Sequence, residues 1–396
     1  MNPDFRGLFP GARHQVYLDV AARGLVPLPV QDVVAAYMDA CVQGTSDKDR
    51  LREQVDETRA SFARLIGADA NEIAITKNVS EGLNLFAASL VWNAGDNVVV
   101  CPELEHPNNI YLWYNLERRH GVEVRAVAPD GGRMPVRAMA DAMDERTRVV
   151  TFPTISFAPG FITDARVLVE AARSAGALTL ADGAQSIGAL ATDVHALGVD
   201  ALAVSTQKCL LGLYGFGFLY VRRALADALT PIHVARYGMD LGGAHETAYA
   251  DGEMVYQPGA RRFDLGNYNY LGMTAARASL ALLEEVGVDA IEAHVRGLAA
   301  RLADGLLDLG LPVVGGTPGP ELAHIVSVGT IGGGRHYTAD DPDMNDLHQH
   351  LTDHGIRHSL RAGILRFSVG AYNDQADIDR VIERARVWSA SRPVAR

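Results

Sequence analysis

The sequence predicts an α/β fold, with a large domain on a mostly parallel seven-stranded sheet and a smaller α+β C-terminal domain. Three observations predict it. Short apolar runs alternate with amphipathic stretches between residues 72 and 221. Those runs are apolar at nearly every position, the pattern of strands covered on both faces. After about residue 270 the texture changes to longer helical periods and fewer strands.

Taken in order, the expected strands are EIAIT (72–76), NVVVC (97–101), VEVRAV (122–127), RVVTFP (148–153), ALTLAD (177–182), ALAVST (201–206) and GFGFLYV (215–221). Helices are expected between them, over 80–91, 107–119, 135–143 and 164–175. MTAARASLALLEEVG and IEAHVRGLAARLADGLLDLG then read as two helices. They are followed by a strand at AHIVSV (323–328), a helix near 343–354, a strand at ILRFSVG (364–370) and a last helix from 375. The expected division is 15–270 for the large domain, with 1–14 and 271–396 forming the small one. GGAHETAYADGE (242–253) is the best candidate for a long functional loop.

Bulk composition narrows the function. The chain has 396 residues, 48% hydrophobic and 21% charged, which is ordinary globular material. Its net charge of −12, with no basic run, argues against nucleic acid as a partner. No apolar run reaches bilayer length, so no membrane partner is expected. The N-terminus lacks the apolar core of a signal peptide. The three cysteines, Cys41, Cys101 and Cys209, show no CxxC spacing. A reducing, cytoplasmic home is therefore expected.

The chemistry gathers at strand ends. Asp182 closes the apolar run LTLAD and Lys208 follows ALAVSTQ one strand later. Alone, Asp182 reads as a helix cap and Lys208 as a surface lysine. Together, at one edge of a parallel sheet, they make a different unit. A lysine withdrawn from water becomes nucleophilic toward a carbonyl. An aldehyde cofactor held as its imine, with a carboxylate on its ring nitrogen, is what pyridoxal 5'-phosphate requires. Its phosphate needs donors, and TKNVSEGLN (76–84) opens a helix where Val79 and Ser80 offer amides and Ser80 a hydroxyl. Ser205 and Gln207 flank the lysine. His106, just past NVVVC, is placed to stack on the ring and move protons near the substrate.

The ordered set YLDVAARGLVP (17–27), NVSEGLN (78–84), ELEH (103–106), DGAQSIG (182–188), STQK (205–208), RFDLGNYNYLG (262–272) and LRFSVGAYN (365–373) resembles the class V aminotransferase superfamily. The likeness is greatest to its cysteine desulfurase, selenocysteine lyase and isopenicillin N epimerase-like branch, and it covers about residues 15–390. The resemblance implies a fold-type I enzyme dependent on pyridoxal 5'-phosphate. It implies that Lys208 holds the cofactor, Asp182 pairs with the pyridine nitrogen, Gln185 meets the ring hydroxyl and His106 stacks. Val79, Ser80, Ser205 and Gln207 would hold the phosphate. The family is dimeric, and Asn267, in Gly266-Asn267-Tyr268-Asn269, would reach the partner's cofactor. Arg366 matches the arginine that grips a substrate carboxylate, a task suited to a bidentate guanidinium.

Departures from the family decide the reaction. Desulfurases carry a sulfur-accepting cysteine on a loop just before the arginine strand. Here that stretch reads GIRHSLRAGILRFS (355–368), short and without cysteine. Phe157 replaces a polar neighbour of the cofactor and gives a more apolar wall. The expected activity is therefore a C–S lyase that cleaves an S-substituted L-cysteine by β-elimination, without an enzyme persulfide. An epimerase, an aminotransferase and a decarboxylating oxidative deaminase are the alternatives on the same scaffold, and a non-catalytic homologue is the rival of another class. Tyr268 and Tyr270 are candidates for the opposite-face acid that epimerisation needs. His348, His350, His354 and His358 read as surface histidines.

Overall fold

The computed structural model describes residues 3–242 and 254–391. Seven strands form one sheet: β1 Ile73–Thr76, β2 Asn97–Val100, β3 Glu123–Ala126, β4 Thr147–Pro153, β5 Leu178–Asp182, β6 Ala201–Ser205 and β7 Gly217–Val221. Their spatial order is β1-β7-β6-β5-β4-β2-β3. Five of them, β3-β2-β4-β5-β6, run parallel, and β7 is antiparallel to both its neighbours. Each expected strand is present within two residues of its expected start. The inner strands are buried along almost their whole length, which explains why they read as continuous apolar runs.

Two long helices precede the sheet, α1 Leu28–Gln43 and α2 Lys48–Leu65. Between strands lie α3 Val79–Ala88, α4 Tyr111–His120, α5 Val136–Asp141 and α6 Ala165–Ala175. The helix expected over 107–119 is split. Pro107–Asn109 forms a separate 3-10 turn whose N-cap is His106, and the α-helix begins only at Tyr111. The long helix α7 Tyr270–Val286 packs back on α1 and α2. It leads into α8 Val288–Leu307, α9 Pro342–Asp353 and α10 Gln375–Ala390, with strands β8 Ile325–Gly329, β9 Ser359–Arg361 and β10 Ile364–Ser368. These strands form an antiparallel sheet in the order β9-β10-β8.

The chain's beginning is stitched to its end. Arg6 forms a two-point ion pair with Asp377 at 2.7 and 3.0 Å. Val16 and Tyr17 pair in parallel with Ile356 and Arg357. Ser368 then donates its amide to Leu18 O at 2.8 Å, and Asp19 bridges to Ser368. Backbone pairing thus carries Asp19 to the strand that bears Arg366. The 242–253 loop, Gly242 apart, lies outside the described residues.

One histidine departs from the surface reading. His358 is buried at 5% exposure, its ring stacked on Phe367 at 4.9 Å and its Nε2 2.9 Å from His348 Nδ1. It faces inward because β9 and β10 turn their apolar side against α9. Burial pushes its pKa down to about 3, so it stays neutral. Among the described residues no group of histidine, cysteine and carboxylate side chains could hold a metal. No described helix is long and apolar enough to cross a membrane.

Candidate active site

The parallel strands β5 and β6 end side by side, with Asp182 in register with Ala203. The carboxylate of Asp182 and the lysine turn after Ser205 therefore share the carboxyl edge of the sheet, where α/β folds place ligands. The turn is tightly made. Leu211 donates its amide to Lys208 O at 2.9 Å and itself sits at φ +58. Gly24 presses against the same carbonyl, and a Cβ there would lie 2.5 Å from Lys208 O. Only glycine fits that approach.

Lys208 is half-buried, and its burial lowers its pKa, with Asp182 pulling the other way and Arg366 adding to the fall. That is the setting of a nucleophilic lysine. Asp182 is 7% exposed and accepts from Ala184 N at 2.7 Å and from Asn109 Nδ2 at 2.5 Å. Asn109 also donates toward Glu105 Oε2 at 3.5 Å, while Glu105 Oε1 has no partner. Burial, then the charge of Asp182, holds the Glu105 pKa well above the ordinary carboxylate range.

His106 stands at the mouth. Its Nδ1 accepts from Asn108 N at 3.3 Å and its ring meets Phe157 edge-on at 5.6 Å. Burial and the positive charge of Lys208 lower its pKa, so the imidazole is neutral at pH 7. Phe157, expected from TISFAPG as an apolar wall, packs against His106. At the helix start expected to hold phosphate, Asn78 rather than Ser80 caps α3, accepting from Glu81 N at 2.9 Å. The amides of Val79 and Ser80 belong to the first helical turn, which has no intrahelical acceptor for them. Ser205 ends β6 and is buried.

Two carboxamides fit a bound group on their own evidence. Gln185 donates to Ala21 O at 3.1 Å while its buried Oε1 has no partner, and Gln207 Oε1 is likewise buried and unpartnered. Unsatisfied buried amides are costly unless something completes them. Arg366 closes the far side. Its Nη1 donates to Phe157 O at 2.7 Å and its Nη2 to Ser359 Oγ at 3.1 Å, with Asp19 Oδ1 at 3.5 Å. Ser359 in turn donates to Asp19. Burial lowers the Arg366 pKa to about 10 against the pull of Asp19, and Arg366 Nε is left unpaired.

Lys208, Asp182, His106 and Arg366 are thus electrostatically coupled in one site, and Gln185, Ser205 and Gln207 lie on the same strand ends. Asn267 stands apart: it is exposed, and its Oδ1 accepts from Tyr237 at 3.1 Å. Tyr268 is not free to act as an acid, because its hydroxyl donates to Asp264 at 2.8 Å. Asn109, Glu105 and Asp19 were not read as site residues. The only signal for them was position, two of them flanking His106 and one inside YLDVAARG.

This architecture, a seven-stranded α/β sheet with a lysine and a carboxylate on adjoining strand ends, is that of a fold-type I pyridoxal phosphate enzyme. The chain belongs to the class-V aminotransferase family, whose model matches residues 16–381. A probable cysteine desulfurase of Methanothermobacter thermautotrophicus is 35% identical over 74% of this chain and 72% of its own length. The apo structure of a cysteine desulfurase from Thermococcus onnurineus NA1 superposes with a TM-score of 0.84 at 25% identity, covering 99% of both chains. The cystine C–S lyase C-DES, solved with its reaction product cysteine persulfide, shares the fold with a TM-score of 0.84 at 22% identity, over 97% of this chain and 100% of its own. The cofactor of this chain is accordingly pyridoxal 5'-phosphate.

Proposed function

We propose that this enzyme is a C–S lyase that cleaves an S-substituted L-cysteine by β-elimination and uses no cysteine of its own as sulfur acceptor. The observation that carries the reading is the hairpin β9–β10. It runs straight into Arg366 through the two residues Ala362 and Gly363, with no thiol on it. The chain's cysteines lie elsewhere. Cys101 and Cys209 are buried, and burial pushes both thiols up to about 12, far from the thiolate a sulfur acceptor needs. Cys209 Sγ faces Gln185 O at 3.9 Å and His324 Nε2 at 3.7 Å. Cys41 is exposed on α1. The likeness to the cystine C–S lyase C-DES agrees with this reading.

The cofactor, when bound, supplies an electron sink for the pair released at Cα. The residues do the rest. Asp182 would face the pyridine nitrogen, His106 would stack on the ring, and Gln185 would meet its hydroxyl. Val79, Ser80, Ser205 and Gln207 would hold the phosphate. Arg366 grips the substrate carboxylate and so fixes which Cα bond is presented. Lys208, its amine biased toward the neutral form, takes the Cα proton. The Cβ–S bond then breaks, the sulfur leaves with its electron pair and is protonated to a thiol. The remaining enamine hydrolyses to pyruvate and ammonia.

The same reading makes the enzyme a cytoplasmic homodimer in which Asn267, exposed on one protomer, reaches the partner's cofactor. Three free cysteines and the outward Asn267 support it. The test is incubation with S-substituted cysteines, before and after alkylation of exposed thiols. Pyruvate and free thiol in equal amounts, undiminished by alkylation, are expected. Exchange of Cα hydrogen without cleavage, or transfer of the amino group to a keto acid, would replace the lyase with an epimerase or an aminotransferase.

A further inference from the structure

The hairpin that removes the cysteine loop brings something in its place. In β9–β10, Ser359 is paired with Arg366 and Arg361 with Ile364. Side chains alternate along a strand and directly paired residues share a face, so Arg361, Ser359 and Arg366 lie on one side of the hairpin. That side is the active-site side, because Arg366 on it reaches Phe157 O and Phe157 meets His106.

The tip that carries Arg361 is held in a strained shape. Ala362 sits at φ +43 and Gly363 at φ +94, the pair of positive values that a two-residue hairpin requires. Alanine adopts that region rarely, and such strain gathers where a neighbour must be aimed. Gly363 is pressed against the backbone of Gly333 and Thr330, where a Cβ would lie 2.5–2.6 Å away. Arg361 then rests its guanidinium 4.9 Å over the Tyr337 ring and donates to Leu360 O at 3.2 Å. Among the described residues no carboxylate pairs with it. Its charge is felt at His106 and at Arg366, lowering the pKa of both.

We propose that Arg361 is a second anion subsite, which receives an acidic group at the far end of the substrate's side chain while Arg366 holds the α-carboxylate. Resting on the lyase reading above, the preferred substrate is then an S-substituted cysteine whose sulfur substituent carries a carboxylate. The aromatic ring beneath Arg361 keeps it extended without neutralising it.

Two matched pairs of compounds test this on the holoenzyme and its Arg361→Gln variant. The first is S-carboxymethyl-L-cysteine against S-carbamoylmethyl-L-cysteine, read as kcat/KM. A preference for the acid of about tenfold is expected from one charge-assisted contact. In Arg361→Gln that preference falls to near unity. The second pair is L-glutamate against L-glutamine, read as Kd from the cofactor's absorbance, and it needs no cleavage. If neither sulfur compound is split, the lyase reading fails while tighter binding of glutamate still upholds the subsite. Equal affinity for glutamate and glutamine, absence of binding included, or an acid preference that survives Arg361→Gln, overturns it.

Discussion

Asn109 donates one side-chain amide to Asp182 at 2.5 Å and turns the same group toward Glu105. Two carboxyl groups thus share a single amide donor, and they cannot both carry charge cheaply. Burial and the charge of Asp182 raise the Glu105 pKa, so Glu105 is the one that stays protonated. Its folded pKa lies above its unfolded value of about 4.3. Between those two pH values the folded state holds a proton that the unfolded state has lost, so stability falls as pH rises through that window. Glu105→Gln removes this dependence. The variant's advantage in melting temperature over the wild type is expected to grow above about pH 4.3. A protonated-carboxyl infrared band that persists in the wild type above about pH 4.3 is expected to be missing in Glu105→Gln. A variant with an unchanged infrared spectrum and a parallel stability curve would mean that Glu105 is ionised.

Lys208 carries the opposite sign. Burial lowers its folded pKa below the unfolded value, so the unfolded chain binds the extra proton and stability rises with pH between the two. In the cofactor-free protein, Lys208→Met is expected to raise the melting temperature at pH 7. The gain should shrink toward pH 10. The same variant is expected to lose turnover and the visible absorbance of a lysine-bound cofactor. Calorimetry of the apo proteins across pH checks the first part and a spectrum of the reconstituted protein the second.

Asp19 is the counter-charge for a buried arginine. Replacing one partner of such a pair leaves the other uncompensated, at a cost of about 3 kcal/mol. Asp19→Asn is therefore expected to destabilise the protein strongly. A ligand carboxylate bound at Arg366 offers a substitute for the lost charge. Added amino acid should then raise the melting temperature of Asp19→Asn by more than it raises that of the wild type. Equal shifts in the two proteins would place the substrate carboxylate somewhere other than Arg366.

Much of this was legible in the sequence, for identifiable reasons. The seven strands announced themselves because burial on both faces leaves apolar residues at consecutive positions. Lys208 and Asp182 were legible because each interrupts such a run at a strand end. Asp19 was not, since it meets Arg366 through backbone pairing of segments some 350 residues apart, a register no local pattern encodes. Asn109 and Glu105 escaped for a related reason. They are ordinary polar letters beside a histidine until the 3-10 turn at Pro107 swings Asn109 under the end of β5. Arg361 depended on the exact turn of a two-residue loop, and His358 on which side of that hairpin packs against α9.

The buried pair Arg59–Asp264 couples stability to the loop that carries Asn267. Arg59 Nη2 meets Asp264 Oδ2 at 2.6 Å, and Arg59 Nη1 donates to Ile73 O on β1 at 2.5 Å. Asp264 accepts further from Ile75 N at 2.9 Å and from Tyr268 at 2.8 Å. One carboxylate therefore ties α2, the edge strand and the 264–269 turn together. Arg59→Ala leaves that carboxylate buried and unpaired, so a loss of about 3–5 kcal/mol is expected. Tyr268→Phe removes only one donor from it and is expected to cost about 1 kcal/mol. If Asn267 serves the partner's cofactor, Tyr268→Phe will also weaken cofactor retention, because the turn that presents Asn267 loses its anchor. Urea unfolding reads the first two quantities, and dialysis of the holoenzyme against cofactor-free buffer reads the third. Unfolding costs as stated with unchanged cofactor retention would confine the network to a structural role.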